Sequence, residues 1–255
     1  MSKPTVAFFE FTSCEGCQLT VVDTLQEHPE LLDAIDIVEF REAMSEKHEG
    51  RITISFIEGS CTRPSDEAKV RAIRERSDLV VSLGACAHIG GVNAIRNRMP
   101  LAMVRDYVYG DKAEWFETYE ARPISAVIKV DAEIPGCPID RNEFAKAVTH
   151  LLQGRMPQLP DYPLCIECKL KENVCMYLRG KVCLGPVTRA GCDAICPTYG
   201  YGCEGCRGLI PEPNIEAMKL VMRERGMNED EIESRMSMFM TYQKAKLDEK
   251  AQVQA

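Results

Sequence analysis

Apolar positions change their rhythm several times along the chain. "TVAFFEFT" (5–12), "IDIVEF" (35–40), "ITISFIEG" (52–59) and "DLVVSLGAC" (78–86) are short apolar runs rich in Val, Ile and Phe, bounded by turn residues. Each predicts a strand. "ISAVIKVDAEIPGCP" (124–138) carries a fifth. Between them apolar residues take helical spacing in "CQLTVVDTLQEHPELL" (17–32), "PSDEAKVRAIRERS" (64–77) and "DRNEFAKAVTHLLQG" (140–154). Pro64 with acids in the first turn marks one start, and Gly154 marks one end. Strands alternating with helices predict an α/β, flavodoxin-like, doubly wound parallel sheet over residues 1–155.

"RMPQLPDYPLC" (155–165) has three prolines and reads as a linker. After it the apolar pattern fails. Eight cysteines lie between 165 and 206 among repeated Gly and Pro, with few apolar runs. Such a stretch buries little apolar area, so a metal must contribute its folding energy. Helical spacing returns in "PNIEAMKLVMRERG" (213–226) and "NEDEIESRMSMFMTYQKAK" (228–246), with Asn228 as the expected cap of the second. The last residues, "DEKAQVQA", are expected to form a loose tail. Residues 156–255 thus form a small cysteine-rich domain with C-terminal helices.

Composition narrows the partners. Asp and Glu exceed Lys and Arg by 39 to 31, so the net charge is −8, which disfavours nucleic acid and anionic membranes. There is no apolar run long enough for a transmembrane segment. "MSKPTVAFFEF" lacks the apolar core and cleavage site of a signal peptide and any twin-arginine leader, so a cytoplasmic location is expected. In a reducing cytoplasm 13 cysteines point to metal or redox chemistry rather than to structural disulfides.

Their placement is informative. Cys14, Cys61, Cys86 and Cys137 each follow a predicted strand, where ligands of open α/β sheets bind. "SCEGCQ" puts Cys14 and Cys17 at a strand-to-helix turn, where helix N–H groups favour thiolates. The same C-x2-C spacing serves redox dithiols, which would need none of the other eleven thiols. The C-terminal cysteines run C-x2-C-x6-C-x7-C (Cys165, Cys168, Cys175, Cys183) and then C-x3-C-x6-C-x2-C (Cys192, Cys196, Cys203, Cys206). Two groups of four thiolates suit two [4Fe–4S] clusters. Two four-cysteine zinc sites are the alternative, although each half has only one C-x2-C knuckle.

"SCEGCQ", "EGS" (58–60), "GACA" (84–87), "PGCP" (135–138), "CLGPVTRAGC" (183–192) and "CPTYGYGCEGCRG" (196–208), in this order, resemble the electron-transfer small subunit of nickel–iron hydrogenases. The resemblance implies three [4Fe–4S] clusters. Cys14, Cys17, Cys86 and Cys137 would hold the proximal one. Cys192, Cys196, Cys203 and Cys206 would hold the medial one, and Cys165, Cys168, Cys175 and Cys183 the distal one. It implies a large subunit carrying the NiFe centre, where H2 ⇌ 2H+ + 2e− occurs, and a further flavin or iron–sulfur subunit on the acceptor side. Cys165 stands where periplasmic members use a histidine, and Cys196 supplies a fourth medial thiolate where they hold a [3Fe–4S]. Both features are closer to cytoplasmic types. "PLCIECKLKENVC" (163–175) is most similar to the sulfhydrogenase delta type, which is NAD(P)-linked. The F420-reducing and heterodisulfide-reductase-linked types are also similar. A complex I-like subunit would show an adjacent Cys-Cys pair and lack the eight-cysteine tail.

Other residues have blander readings. Cys61 fits a small buried residue as well as a thiol tuning the proximal cluster. Glu15 and Glu58 fit a proton relay or partner contact, or simple solvated and turn-capping roles. His88 reads as a core or interface histidine. The methionines of 218–240 read as core, with a partner-facing helix as competitor. "GACAHIGG" is not G-x-G-x-x-G and no P-loop occurs, so no nucleotide site is expected.

Overall fold

The protein is described here by a computed structural model covering residues 3–254, with side chains through residue 249. The chain divides into two compact units, Met1–Gln158 and Leu159–Ala255.

In the first unit five strands form one parallel sheet: β1 (Thr5–Glu10), β2 (Asp36–Phe40), β3 (Ile52–Glu58), β4 (Ser77–Leu83) and β5 (Ala132–Ile134). Their order is β2-β1-β3-β4-β5, the flavodoxin-like order. Parallel pairing demands crossovers. The sequence supplies α1 (Gly16–Glu27), α2 (Glu30–Ala34), α3 (Pro64–Arg76) and α6 (Arg141–Leu152), with α4 (Gly84–Ile89) and α5 (Leu101–Tyr109) lying between α3 and α6. Alternate strand residues face opposite layers. Phe8, Ile54, Phe56 and Val81 pack with Val21 and Leu25 of α1 and Phe144 and Val148 of α6. Ile57 and Val80 pack with Val70 and Ile73 of α3 on the other side. Phe8 stacks on Phe56 at 5.0 Å between ring centroids.

The register aligns Glu10, Glu58, Leu83 and Ile134 across the carboxyl ends of four strands. Everything immediately after that row emerges along one edge of the sheet.

Two features of this unit differ from expectation. The helix expected over 17–32 is broken at Pro29, which lacks an N–H and starts α2 instead. Residues 91–116, which carry no clear sequence pattern, form a 3-10 helix (Gly91–Arg98), α5, and a second 3-10 helix (Gly110–Trp115). α5 buries none of its residues, so its apolar side chains gave no one-faced signal. Charge is also uneven here. Residues 23–49 hold nine carboxylates against Arg41 and Lys47.

The second unit contains α7 (Cys165–Leu170), α8 (Ile195–Thr198), α9 (Ile215–Glu224) and α10 (Glu229–Gln254). Its cysteine-bearing half has a small core of Leu164, Met176, Cys183, Ala194 and Cys203. Met218, Met222, Met236 and Met240 are buried, as the core reading of the methionines requires. Asn228 caps α10 reciprocally: its Oδ1 accepts from the Glu231 N–H at 2.9 Å, and the Glu231 carboxylate accepts from the Asn228 N–H at 2.8 Å. The loose tail expected at the end is instead helical: α10 runs on to Gln254, because "DEKAQVQ" holds no helix breaker. Residue 255 lies outside the described residues.

Candidate metal centres

The first cysteine set gathers beyond the carboxyl ends of the strands. Cys17 sits in the first turn of α1, Cys86 in α4 directly after β4, and Cys14 and Cys137 in the turns after β1 and β5. Cys17 is buried, Cys86 half-buried, and Cys14 and Cys137 exposed. The four feel one another's charge. Burial and then Cys137 and Cys14 push the Cys86 thiol up to about 12. Burial, then Cys14 and Glu58, raise Cys137. Burial and Glu58 raise Cys17, with Cys137 and Cys86 adding to them and an Ile139 backbone hydrogen bond opposing. Thiolates crowded this way need a cation to hold them.

Gly84 makes the approach possible. It has φ +82, and a Cβ there would lie 2.3 Å from the Cys17 sulfur. Only glycine fits both the backbone and the space.

Helix N–H groups do not all face the thiols as the C-x2-C spacing suggested. The backbone N–H groups of Cys17 and Gln18 donate to the Glu58 carboxylate at 3.2 and 3.1 Å. Glu58 ends β3 and is 2% exposed. Burial raises its carboxyl, while those N–H bonds oppose the rise. Glu58 therefore pins the α1 N-terminus to the central strand and places a buried acid beside three thiols. A strand-end Glu gave only a weak sequence signal for this.

In the second unit Cys165, Cys168, Cys175 and Cys183 line one apolar-walled cavity with Leu164, Pro186 and Pro197. Burial, followed by Cys183, Cys168 and Cys175, pushes Cys165 up to about 11. A Cβ on Gly185 would come within 3.3 Å of the Cys183 sulfur and 3.5 Å of the Cys165 sulfur. Tyr177 donates its hydroxyl to the Cys183 carbonyl at 2.8 Å.

Cys192, Cys196, Cys203 and Cys206 lie alongside. Burial raises Cys203 well above the ordinary thiol range, and Cys206 adds to it. Burial raises Cys196, with Glu204 and then Cys183 adding. Burial raises Cys192, and the Arg207 guanidinium opposes it. Within this set Cys203 and Cys206 interact directly. The set also borders its neighbour: the Cys203 N–H donates to the Cys183 sulfur at 3.2 Å.

Two further residues organise this unit without any sequence signal of their own. Arg207 is 1% exposed and donates from Nε to the Ala190 carbonyl at 2.7 Å. It keeps a positive charge beside the Cys192 thiol. Glu167, between Cys165 and Cys168, accepts from the N–H groups of Gly191 and Ala194 at 2.7 and 3.3 Å. One carboxylate thus ties the two cysteine loops together. Both residues look like ordinary solvated charges in sequence.

The remaining candidates take plain structural roles. Cys61 is fully buried in the α3-side apolar cluster, and burial with Asp66 and Glu67 nearby pushes its thiol up to about 12. His88 has its Nδ1 3.1 Å from the Glu133 carboxylate. Glu15 is exposed at φ 63 and precedes α1.

Sulfur spacing carries chemical information. A tetrahedral zinc ion with Zn–S of about 2.3 Å brings its sulfurs within about 3.8 Å of one another. Among the described residues the one group of three or more metal-ligating atoms lying mutually within 4.8 Å is Glu10, Glu15 and Glu42, with no cysteine in it. A cluster in which each thiolate takes its own iron needs wider spacing. Sets made of soft thiolates alone, without histidine or carboxylate, fit iron–sulfur clusters by their chemistry.

Known proteins agree with this chemistry. The family described as NADH ubiquinone oxidoreductase, 20 Kd subunit, matches residues 14–151. Sulfhydrogenase 2 subunit delta of Pyrococcus furiosus is 36% identical over 217 residues, covering 85% of this chain and 91% of that one. A subunit of an F420-non-reducing hydrogenase of Methanocaldococcus jannaschii is 34% identical, covering 80% of this chain and 81% of that one. Among solved structures, a chain of an NAD+-reducing [NiFe]-hydrogenase in the H2-reduced state aligns with TM-score 0.57 and 25% identity, covering 62% of this chain and 96% of that one. With such spans, and with its cysteines gathered as they are, this chain belongs to the 20 Kd subunit family and, within it, to the small subunits of nickel–iron hydrogenases.

Proposed function

We propose that this chain is the electron-transfer subunit of a cytoplasmic nickel–iron hydrogenase. It would lie between a large subunit, where H2 is split or formed, and a further flavin or iron–sulfur subunit that serves NAD(P). The observation that supports the proposal is the convergence of Cys14, Cys17, Cys86 and Cys137 beyond the carboxyl ends of the strands, together with Cys165, Cys168, Cys175 and Cys183 around one cavity. In this reading Cys14, Cys17, Cys86 and Cys137 hold the proximal [4Fe–4S] cluster. Cys192, Cys196, Cys203 and Cys206 hold the medial cluster, and Cys165, Cys168, Cys175 and Cys183 the distal. Such clusters, when bound, supply one-electron transfer.

The protein's own residues set the conditions. Gly84 and Gly185 keep side chains away from the ligand sulfurs. Glu58 and Arg207 place opposite buried charges beside different sets, which favours different net cluster charges. Among the described residues no helix is long and apolar enough to cross a membrane. NAD(P) linkage draws on the likeness to the NAD+-reducing structure.

Anaerobic isolation of the native complex tests the proposal. It should yield about 12 iron per chain, from three four-iron sets. A nickel-containing large subunit and a flavin or iron–sulfur subunit should co-purify. Stoichiometric zinc with little iron would overturn it.

A further inference from the structure

The electron-transfer reading leaves one face of the sheet unit unused. Behind α1, α2 and the outer strand β2 lies an open apolar groove of about 450 Å³. Val22 and Leu25 of α1, Leu32 of α2, Ile37 and Phe40 of β2, and Met44 beyond it form its walls. Leu32 is 45% exposed there.

The groove coincides with the chain's strongest concentration of charge. The elements that line it carry exposed carboxylates, Asp23 on α1, Asp33 on α2 and Glu42 beside Ala43, while Asp36 lies on the opposite face of β2 from Ile37. Arg141 and Arg76 pair with Glu27 and Glu39. Asp23, Asp33, Asp36 and Glu42 form no ion pair among the described residues. The rest of the first unit, outside 23–49, has as many basic as acidic residues, sixteen of each. An apolar floor with an unneutralised acidic rim is costly to leave in water.

We propose that this groove receives a cationic amphipathic helix from another subunit of the complex. The groove is walled by apolar side chains of α1, α2, β2 and the loop after it, so the occupant offers side chains in return. A helix with apolar anchors at i, i+3 and i+4 and flanking Lys or Arg meets both floor and rim. A second copy of this chain would bring the same acidic rim against this one. Nucleic acid and anionic lipid surfaces are repelled for the same reason. The inference does not depend on how many clusters the chain holds.

The test is photo-crosslinking in the intact native complex. Benzoylphenylalanine replaces Leu32 in one preparation and the exposed Ala43 in another. Both should link to one continuous segment of another subunit in which Lys and Arg outnumber Asp and Glu. Adding Asp33→Lys with Glu42→Lys should cut the yield about tenfold. Asp33→Asn with Glu42→Gln, which leaves the fold's apolar contacts alone, should cut it less. A link to a neutral or acidic segment, a link to a second copy of this chain, or no link from either position in a complex that remains assembled would each overturn the proposal.

Discussion

The sheet unit closes its main core with nineteen buried residues, all but Cys17 ordinary apolar side chains meeting around Phe8, Phe56 and Phe144. The cysteine-bearing half of the second unit has five, of which Cys183 and Cys203 are two, with Cys168 and Cys192 packed against them. In the first unit thiols decorate the end of a core that would form without them. In the second the thiols are part of the core, and burial raises Cys165, Cys183, Cys192, Cys196 and Cys203 as it raises Cys17, Cys86 and Cys137 in the first. The difference teaches that apolar packing closes one core while thiols supply much of the other, so a metal is expected to matter more to the fold of the second.

The hardest test of this contrast is removal of metal. Chelation or oxidative loss of the clusters should abolish protection of residues 160–210 against protease, while the sheet unit stays folded. Limited proteolysis with mass spectrometry reads the order of cuts. Earlier cleavage within residues 5–150 would mean that both units depend on metal alike.

Function should divide along the same line. In an intact complex, Cys165→Ser should lower acceptor reduction by about a hundredfold or more, as a relay interrupted at its outer end, while hydrogen–deuterium exchange at the partner's active site largely survives. Cys14→Ser should damage both. Equal loss of both activities in Cys165→Ser would show that the distal assignment is mistaken.

Within the sheet unit the thiols should separate by role. Cys137→Ser should lose about four iron of about twelve, and Cys61→Ser none. Iron analysis of anaerobic preparations decides, and loss of four iron on changing Cys61 would displace Cys137 from the ligand set.

A purely apolar change sharpens the comparison from the other side. Phe56 is 1% exposed and touches the Phe8 and Phe144 rings. Phe56→Ala should cost the sheet unit about 3–5 kcal/mol. The absorbance of the second unit's clusters should persist until the sheet unfolds, and denaturant melts followed by both signals would show it.

The smallest effect is on pH dependence. Burial, Asp66 and Glu67 push the Cys61 thiol up to about 12 from its ordinary value of 9.0. The unfolded chain therefore releases this proton first as pH rises. The stability it contributes is complete below about pH 9 and is lost as pH climbs toward about 12. Cys61→Ala should flatten that alkaline fall in urea melts of cluster-loaded protein, and an unchanged slope would mean that other groups dominate it.

Much of this molecule is written locally. Runs such as "ITISFIEG" and the helical spacing of 64–77 predict the five-stranded parallel sheet, because strand and crossover helix are set by neighbouring residues. The cysteine spacings of 165–206 and the Asn228 cap are legible for the same reason. Pro29 is a local break that the continuous helical spacing of 17–32 conceals. The order β2-β1-β3-β4-β5 and the meeting of Cys14, Cys17, Cys86 and Cys137 were decided only in three dimensions, since residues far apart become neighbours through register rather than local preference. Glu58, Glu167 and Arg207 are the clearest cases. A charged residue in sequence looks like a solvated one, and only packing reveals that Glu58 caps a helix, Glu167 ties two cysteine loops and Arg207 lies buried beside a thiol. Burial is a property of everything packed around a side chain, so no local pattern could have encoded it.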